Sequence, residues 1–119
     1  MTPLDLARRI RDRLAAPERC AKGASARRAD GRPCTPDHPD AAQWCLIGAA
    51  WAETLNLGRH DNCTELRFAV YGACFPDIEP LLLGVTVTRF SDDASHAELL
   101  AKIDEGIARL EGRALGTPA

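Results

Sequence analysis

Aromatic residues are scarce in this chain of 119 residues: three phenylalanines, two tryptophans and one tyrosine, 5% of the whole. Its core therefore has to come from Leu, Ile, Val and Ala, and the abundance of alanine favours helix. No apolar run reaches ~18 residues, so no membrane-spanning helix is expected. The start, Met1-Thr2-Pro3-Leu4-Asp5, lacks the apolar stretch of a secretory signal. A strong charge of either sign is missing too. With 15 basic and 17 acidic residues the formal net charge is -2, so nucleic acid is not an expected partner. There is no CxxC pair, GxGxxG, GxxxxGK[ST] or GxSxG, and so no zinc-ribbon, dinucleotide, P-loop or hydrolase-elbow signature. Five cysteines, an odd number without an export signal, point to reduced thiols and a cytoplasmic location.

What is present fits one compact domain, expected over residues 1–112, with 113–119 as a frayed tail. A domain of this size buries about two-thirds of its unfolded surface and needs neither disulfide nor metal to be stable. The charge is uneven: nine of the 15 basic residues fall in the first 32 positions. Such arginines most often line a solvated helix face.

The pattern predicts a mainly α-helical bundle of about four helices, near residues 3–15, 39–56, 63–74 and 95–111. Thr2-Pro3 starts the first as cap and first-turn proline, with Leu4, Ala7, Ile10 and Leu14 at helical spacing. The second carries two stripes, Trp44/Ile47/Trp51/Leu55 and the small Ala41/Cys45/Gly48/Ala49/Ala52, and is expected to be central, with a neighbouring helix against the small side. Asn56-Leu57-Gly58 is its expected stop, and Asn62 to Glu65 a capping box for the third. Ser95 to Glu98 is a capping box for the last. Residues 17–38, rich in Gly and Pro, are expected to be a long irregular loop with a turn at Ala29-Asp30-Gly31-Arg32-Pro33. Residues 77–90 read two ways. Ile78 to Leu83 can form a short helix, while Val85, Thr86, Val87 and Thr88 suggest a short extended segment near 84–90. Extended chain or a helical turn is expected there, without a partner strand and therefore without a sheet.

Three kinds of chemistry can be placed on these residues. Cys45 as nucleophile, His96 as base and Asp92 as orienter have the residue types of a thiol hydrolase or transferase. Against this, a cysteine among alanines is usually a packing residue, and a second-turn position gains little from the helix dipole. Cys34, His38 and Cys45 can form a metal site, though the spacing lacks the close ligand pairs of structural zinc. Arg27-Arg28 near Arg32 can meet a phosphate or carboxylate but are more often solvated. No cofactor is expected.

The run Ala29-Asp30-Gly31-Arg32-Pro33, then Asp37 to Ala42, then Trp44-Cys45-Leu46-Ile47-Gly48-Ala49, resembles DUF6197, a family of small uncharacterised bacterial and phage proteins. Val87 to Asp93 and the helix after it resemble the end of that pattern, with Ser91-Asp92 where the family has Asn-Asp. The most specific element is Trp44-Cys45-x-x-Gly48-Ala49, and the likeness spans about residues 4–110. It implies a small, mostly helical domain with a phage or mobile-element association. It carries no established activity.

These observations favour a non-catalytic binding or accessory protein with a protein partner. Its expected surface is the 17–38 loop with the 84–94 segment, and its expected contact residues are Asp30, Arg32, His38, Asp92 and Asp93. Both segments adjoin helix N-termini, where free N–H groups meet anions or carboxylates.

Overall fold

A computed structural model of the chain describes residues 1–55 and 63–114. Helix α1 (Pro3–Arg13) opens with a reciprocal cap: the Thr2 hydroxyl accepts from the Asp5 N–H and the Asp5 carboxylate accepts from the Thr2 N–H, each at 3.1 Å. Leu6, Ile10 and, just past the helix, Leu14 are fully buried. Each such side chain contributes roughly 1.5–3 kcal/mol by leaving water. That stripe makes α1 the hub, packed against α2 (Leu46–Leu55), α3 (Cys63–Cys74) and α5 (His96–Ala114). Helix α4 (Pro80–Asp93) lies on α2 and α3.

The chain is mostly helical as expected, but among the described residues it has five helices and a small sheet. The stretch 17–38 is not an irregular loop. It holds a 3-10 turn, Pro17–Arg19, and a hairpin of β1 (Ala26–Arg28) and β2 (Pro33–Cys34). The hairpin turns where the Asp-Gly signal falls, with Gly31 at φ 90°, a conformation that costs glycine nothing. Strand β3 (Ala41–Trp44) pairs antiparallel with the other edge of β1, in the order β2-β1-β3.

That pairing corrects the second helix, expected to begin at 39. Residues 41–44 satisfy their backbone groups across β1, and alanine's helix propensity is too weak to compete with a ladder. Trp44 therefore sits on a strand, and only Trp51 is on α2. The extended segment expected near 84–90 is also corrected, because it lies inside α4. Leu83, Val87 and Ser91 are buried at a four-residue spacing, and burial at that period outweighs the strand preference of the Val-Thr run. Helix α5 continues to Ala114, past the position where the tail is expected to start. The Asn56-Leu57-Gly58 stop and the Asn62 cap lie outside the described residues, as does 115–119.

At Gly48 the close approach on the small face of α2 is made by a backbone segment and not by a helix. A β-carbon on Gly48 would lie 1.7 Å from the Ser25 carbonyl oxygen, so the backbone leading into β1 is what closes on it. The close helix crossing is elsewhere: Gly106 of α5 lies against Cys74 of α3, whose sulfur is 2.5 Å from where a β-carbon would be.

Candidate functional site

Cys45 stands at the joint between β3 and α2. Its N–H donates to the Ser25 carbonyl at 3.1 Å, and its carbonyl accepts from the Ala49 N–H at 2.8 Å, which makes it the residue that caps α2. The sulfur accepts from the Gly48 N–H at 3.3 Å, in the place where Ser, Thr, Asp or Asn oxygen usually acts. The first helical N–H, of Leu46, donates to the Ser91 hydroxyl of α4 at 3.1 Å. Burial pushes the Cys45 thiol up; the N–H groups of Gly48 and Ile47 pull it partly back, and Asp92 raises it. A raised thiol keeps its proton, the opposite of what a nucleophile needs.

His96 and Asp92 are engaged elsewhere. His96 Nε2 is 2.8 Å from the Leu14 carbonyl oxygen, which fits an Nε2–H donor. Asp92 accepts from the Gly23 N–H at 2.9 Å. No hydrogen bond joins Cys45, His96 and Asp92. The metal alternative of Cys34, His38 and Cys45 is not assembled either: no three His, Cys, Asp or Glu side chains among the described residues are grouped as ligands. Both His38 ring nitrogens have neighbours, the Asp40 N–H at 3.0 Å and an Arg28 guanidinium nitrogen at 3.2 Å.

The expected contact residues are dispersed. Asp30 and Arg32 hold each other at the hairpin tip, with Arg32 Nε donating to Asp30 at 2.8 Å and the Arg32 N–H at 3.0 Å. Those two bonds hold the Asp30 carboxyl below the usual carboxylate range. Arg27 is turned onto the backbone carbonyls of Lys22 and Gly31. Asp93 ends α4 and is exposed. The two expected segments do touch each other, through Asp92 and through Lys22, which the sequence did not single out. Lys22 Nζ donates to the carbonyls of Ser91 at 2.8 Å and Ala94 at 2.7 Å, beside the Gly23–Asp92 bond.

Two concave features lie away from these residues. An open groove of about 710 Å³ runs between α3 and α4. Ile47, Phe68, Pro80, Leu81, Gly84 and Val85 line it, with the hydroxyls of Thr64 and Thr88 and, among the described residues, no ionisable group. Leu81 is 94% exposed and Val85 56%, and the neighbouring Leu82 is 55% exposed. A smaller cleft of about 380 Å³ is lined by Arg9, Asp12, Arg13, Arg19, Trp44 and Glu53. Its floor is tied together: Arg13 pairs with Glu53 at 2.5 Å and stacks over the Trp44 ring at 4.5 Å.

Known proteins add nothing to this geometry. No protein-family model, curated protein or solved structure matches the chain.

Neither concave feature was singled out by the sequence. The groove had a signal, because a helix over 80–93 that buries Leu83 and Val87 must turn Leu81 and Val85 outward. The Val-Thr run masked it by suggesting a strand. The cleft had none, since its residues come from α1, the 3-10 turn, β3 and α2.

Proposed function

We propose that this protein is a non-catalytic binding protein whose α3–α4 groove receives the apolar face of an amphipathic helix from a protein partner. The observation that carries this is the exposure of Leu81, Leu82 and Val85 beside a groove with no ionisable lining residue among the described residues. In a chain with 27% charged residues, such a patch is a concentrated departure from the rest of the surface. Contiguous exposed apolar area of this kind marks interaction sites. A groove between two helices fits the helix-in-groove mode, in which anchors at helical spacing supply affinity. Charged occupants would be desolvated there without a partner charge, which selects for an apolar face. The likeness to DUF6197, the phage or mobile-element setting it implies, and the cytoplasmic location inferred from the cysteines belong to the same proposal. They describe an accessory protein that acts by recognition without turnover.

The test is a titration of the ¹⁵N-labelled protein with an amphipathic Leu/Lys peptide of about 18 residues, long enough for five helical turns. Amide shifts clustered on α3 and α4 and abolished in Leu81→Asp/Val85→Asp support the proposal. Shifts that persist in the double variant, or none at all, reject it. A dimer in sedimentation that the same variant dissolves would also reject it, since the groove would then hold a second copy.

A further inference from the structure

Helix α1 carries four arginines, and three have carboxylate partners: Arg8 with Glu111 at 3.7 Å, Arg11 with Asp104 at 3.0 Å and Arg13 with Glu53 at 2.5 Å. Arg9 has neither an ion pair nor a hydrogen bond among the described residues, and Arg19 of the 3-10 turn has neither as well. These two exposed arginines line the same cleft. The arginines of the hairpin contrast with them, since Arg27, Arg28 and Arg32 are each held by a neighbour in their own segment.

The cleft's floor is already fixed. The Arg13–Glu53 pair is internally neutral, and Arg13 lies on the Trp44 ring. Trp44 is itself anchored, by its place in β3 and by Nε1–H donating to the Pro36 carbonyl at 3.0 Å. What the cleft offers a ligand is two guanidinium groups from separate elements, an indole, and the carboxylate of Asp12. A single carboxylate is matched by one guanidinium fork. A phosphate monoester carries nearly two charges at neutral pH and three terminal oxygens, so it uses both. The volume is at the small end of the range for small-molecule sites.

We propose that this cleft binds an organic phosphate monoester. Arg9 and Arg19 take the phosphate, the carbon skeleton lies against Trp44, and Asp12 accepts from a ligand hydroxyl. The site shares no lining residue with the α3–α4 groove, so the two readings stand or fall separately.

The protein has two tryptophans, and in a Trp51→Phe background Trp44 alone reports fluorescence. Adenosine monophosphate, glycerol 3-phosphate and inorganic phosphate are titrated at constant ionic strength. A saturable change below about 1 mM is expected with at least one of the two organic phosphates, and only weaker binding with inorganic phosphate. Preference for adenosine monophosphate assigns a nucleotide, and preference for glycerol 3-phosphate a polyol phosphate; both support the site. Arg9→Ala/Arg19→Ala should weaken binding about 10-fold or more, while Arg32→Ala leaves it unchanged. Far-UV circular dichroism confirms the fold of the double variant, which removes only exposed, unpaired side chains. The proposal is overturned if no titrant saturates below about 10 mM. It is equally overturned if adenosine binds as well as its monophosphate, or if the double variant titrates like the parent.

Discussion

A β-carbon at position 48 would lie 1.7 Å from the Ser25 carbonyl oxygen, a backbone atom in the segment that leads into β1. Gly48→Ala must therefore move backbone, and overpacking of this kind costs about 1–3 kcal/mol. Gly84, also inside a helix, has nothing within 4 Å of its virtual β-carbon. Gly84→Ala should raise stability by about 0.4–1 kcal/mol by narrowing the unfolded ensemble. Urea unfolding separates the two: a lower midpoint for the first, a higher one for the second, with unchanged slopes. A Gly48→Ala protein as stable as the parent would show that Ser25 does not press on α2. At this scale the sequence was legible in type but not in partner. The small residues of α2 mark a close approach, yet nothing local says that a strand-forming segment, and not a helix, makes it. Cys45 likewise reads as a packing residue from its alanine neighbours, while its sulfur's bond to the Gly48 N–H needed the strand-to-helix joint to be seen.

Elements with strong local signals formed where the pattern put them. The Thr2/Asp5 and Ser95/Glu98 boxes are both reciprocal, each bond at 3.1 Å, and α3 runs Cys63–Cys74 as its periodicity requires. Besides the hairpin, the misread elements are β3, rich in alanine but paired, and α4, rich in β-branched residues but buried at helical period. In both, tertiary contacts reversed a propensity worth a few tenths of a kcal/mol per residue. Helix α4 also ends on a cation from elsewhere, because Lys22 Nζ donates to the Ser91 and Ala94 carbonyls. Positive charge there complements the helix dipole. Lys22→Met keeps the stem and removes the charge, and should cost about 1 kcal/mol. Amides of the last turn of α4 should exchange faster with deuterium, and unchanged exchange would mean that the lysine does not fasten the turn.

The whole molecule responds to pH through its buried acids. Burial pushes the Cys74 thiol up to about 11 from an ordinary 9.0, against the opposing pull of Arg109 and Lys102. It raises the Cys45 thiol and the Tyr71 hydroxyl in the same direction. Below their ordinary values, folded and unfolded chains hold the same protons and full stability is present. As pH rises past 9.0 the unfolded chain releases thiol protons that the folded chain keeps, so the unfolding free energy falls. The fall is at most about 1.4 kcal/mol per pH unit for each group. Urea unfolding at pH values from about 8 to 11 should show this decline. Cys74→Ala should be less stable at the lower end but lose stability more gently. A flat or rising profile would mean that these groups are not held neutral by the fold.

By itself the sequence determined α1, α3 and α5, the caps of α1 and α5 and the Asp-Gly turn, because helical periodicity, capping and turn chemistry act within a few residues. Only the tertiary structure decided the sheet, the helical state of 80–93, the apolar groove and the arginine cleft. Short strands have no ladder until a distant segment supplies it, and a concave surface exists only once separate elements are brought together.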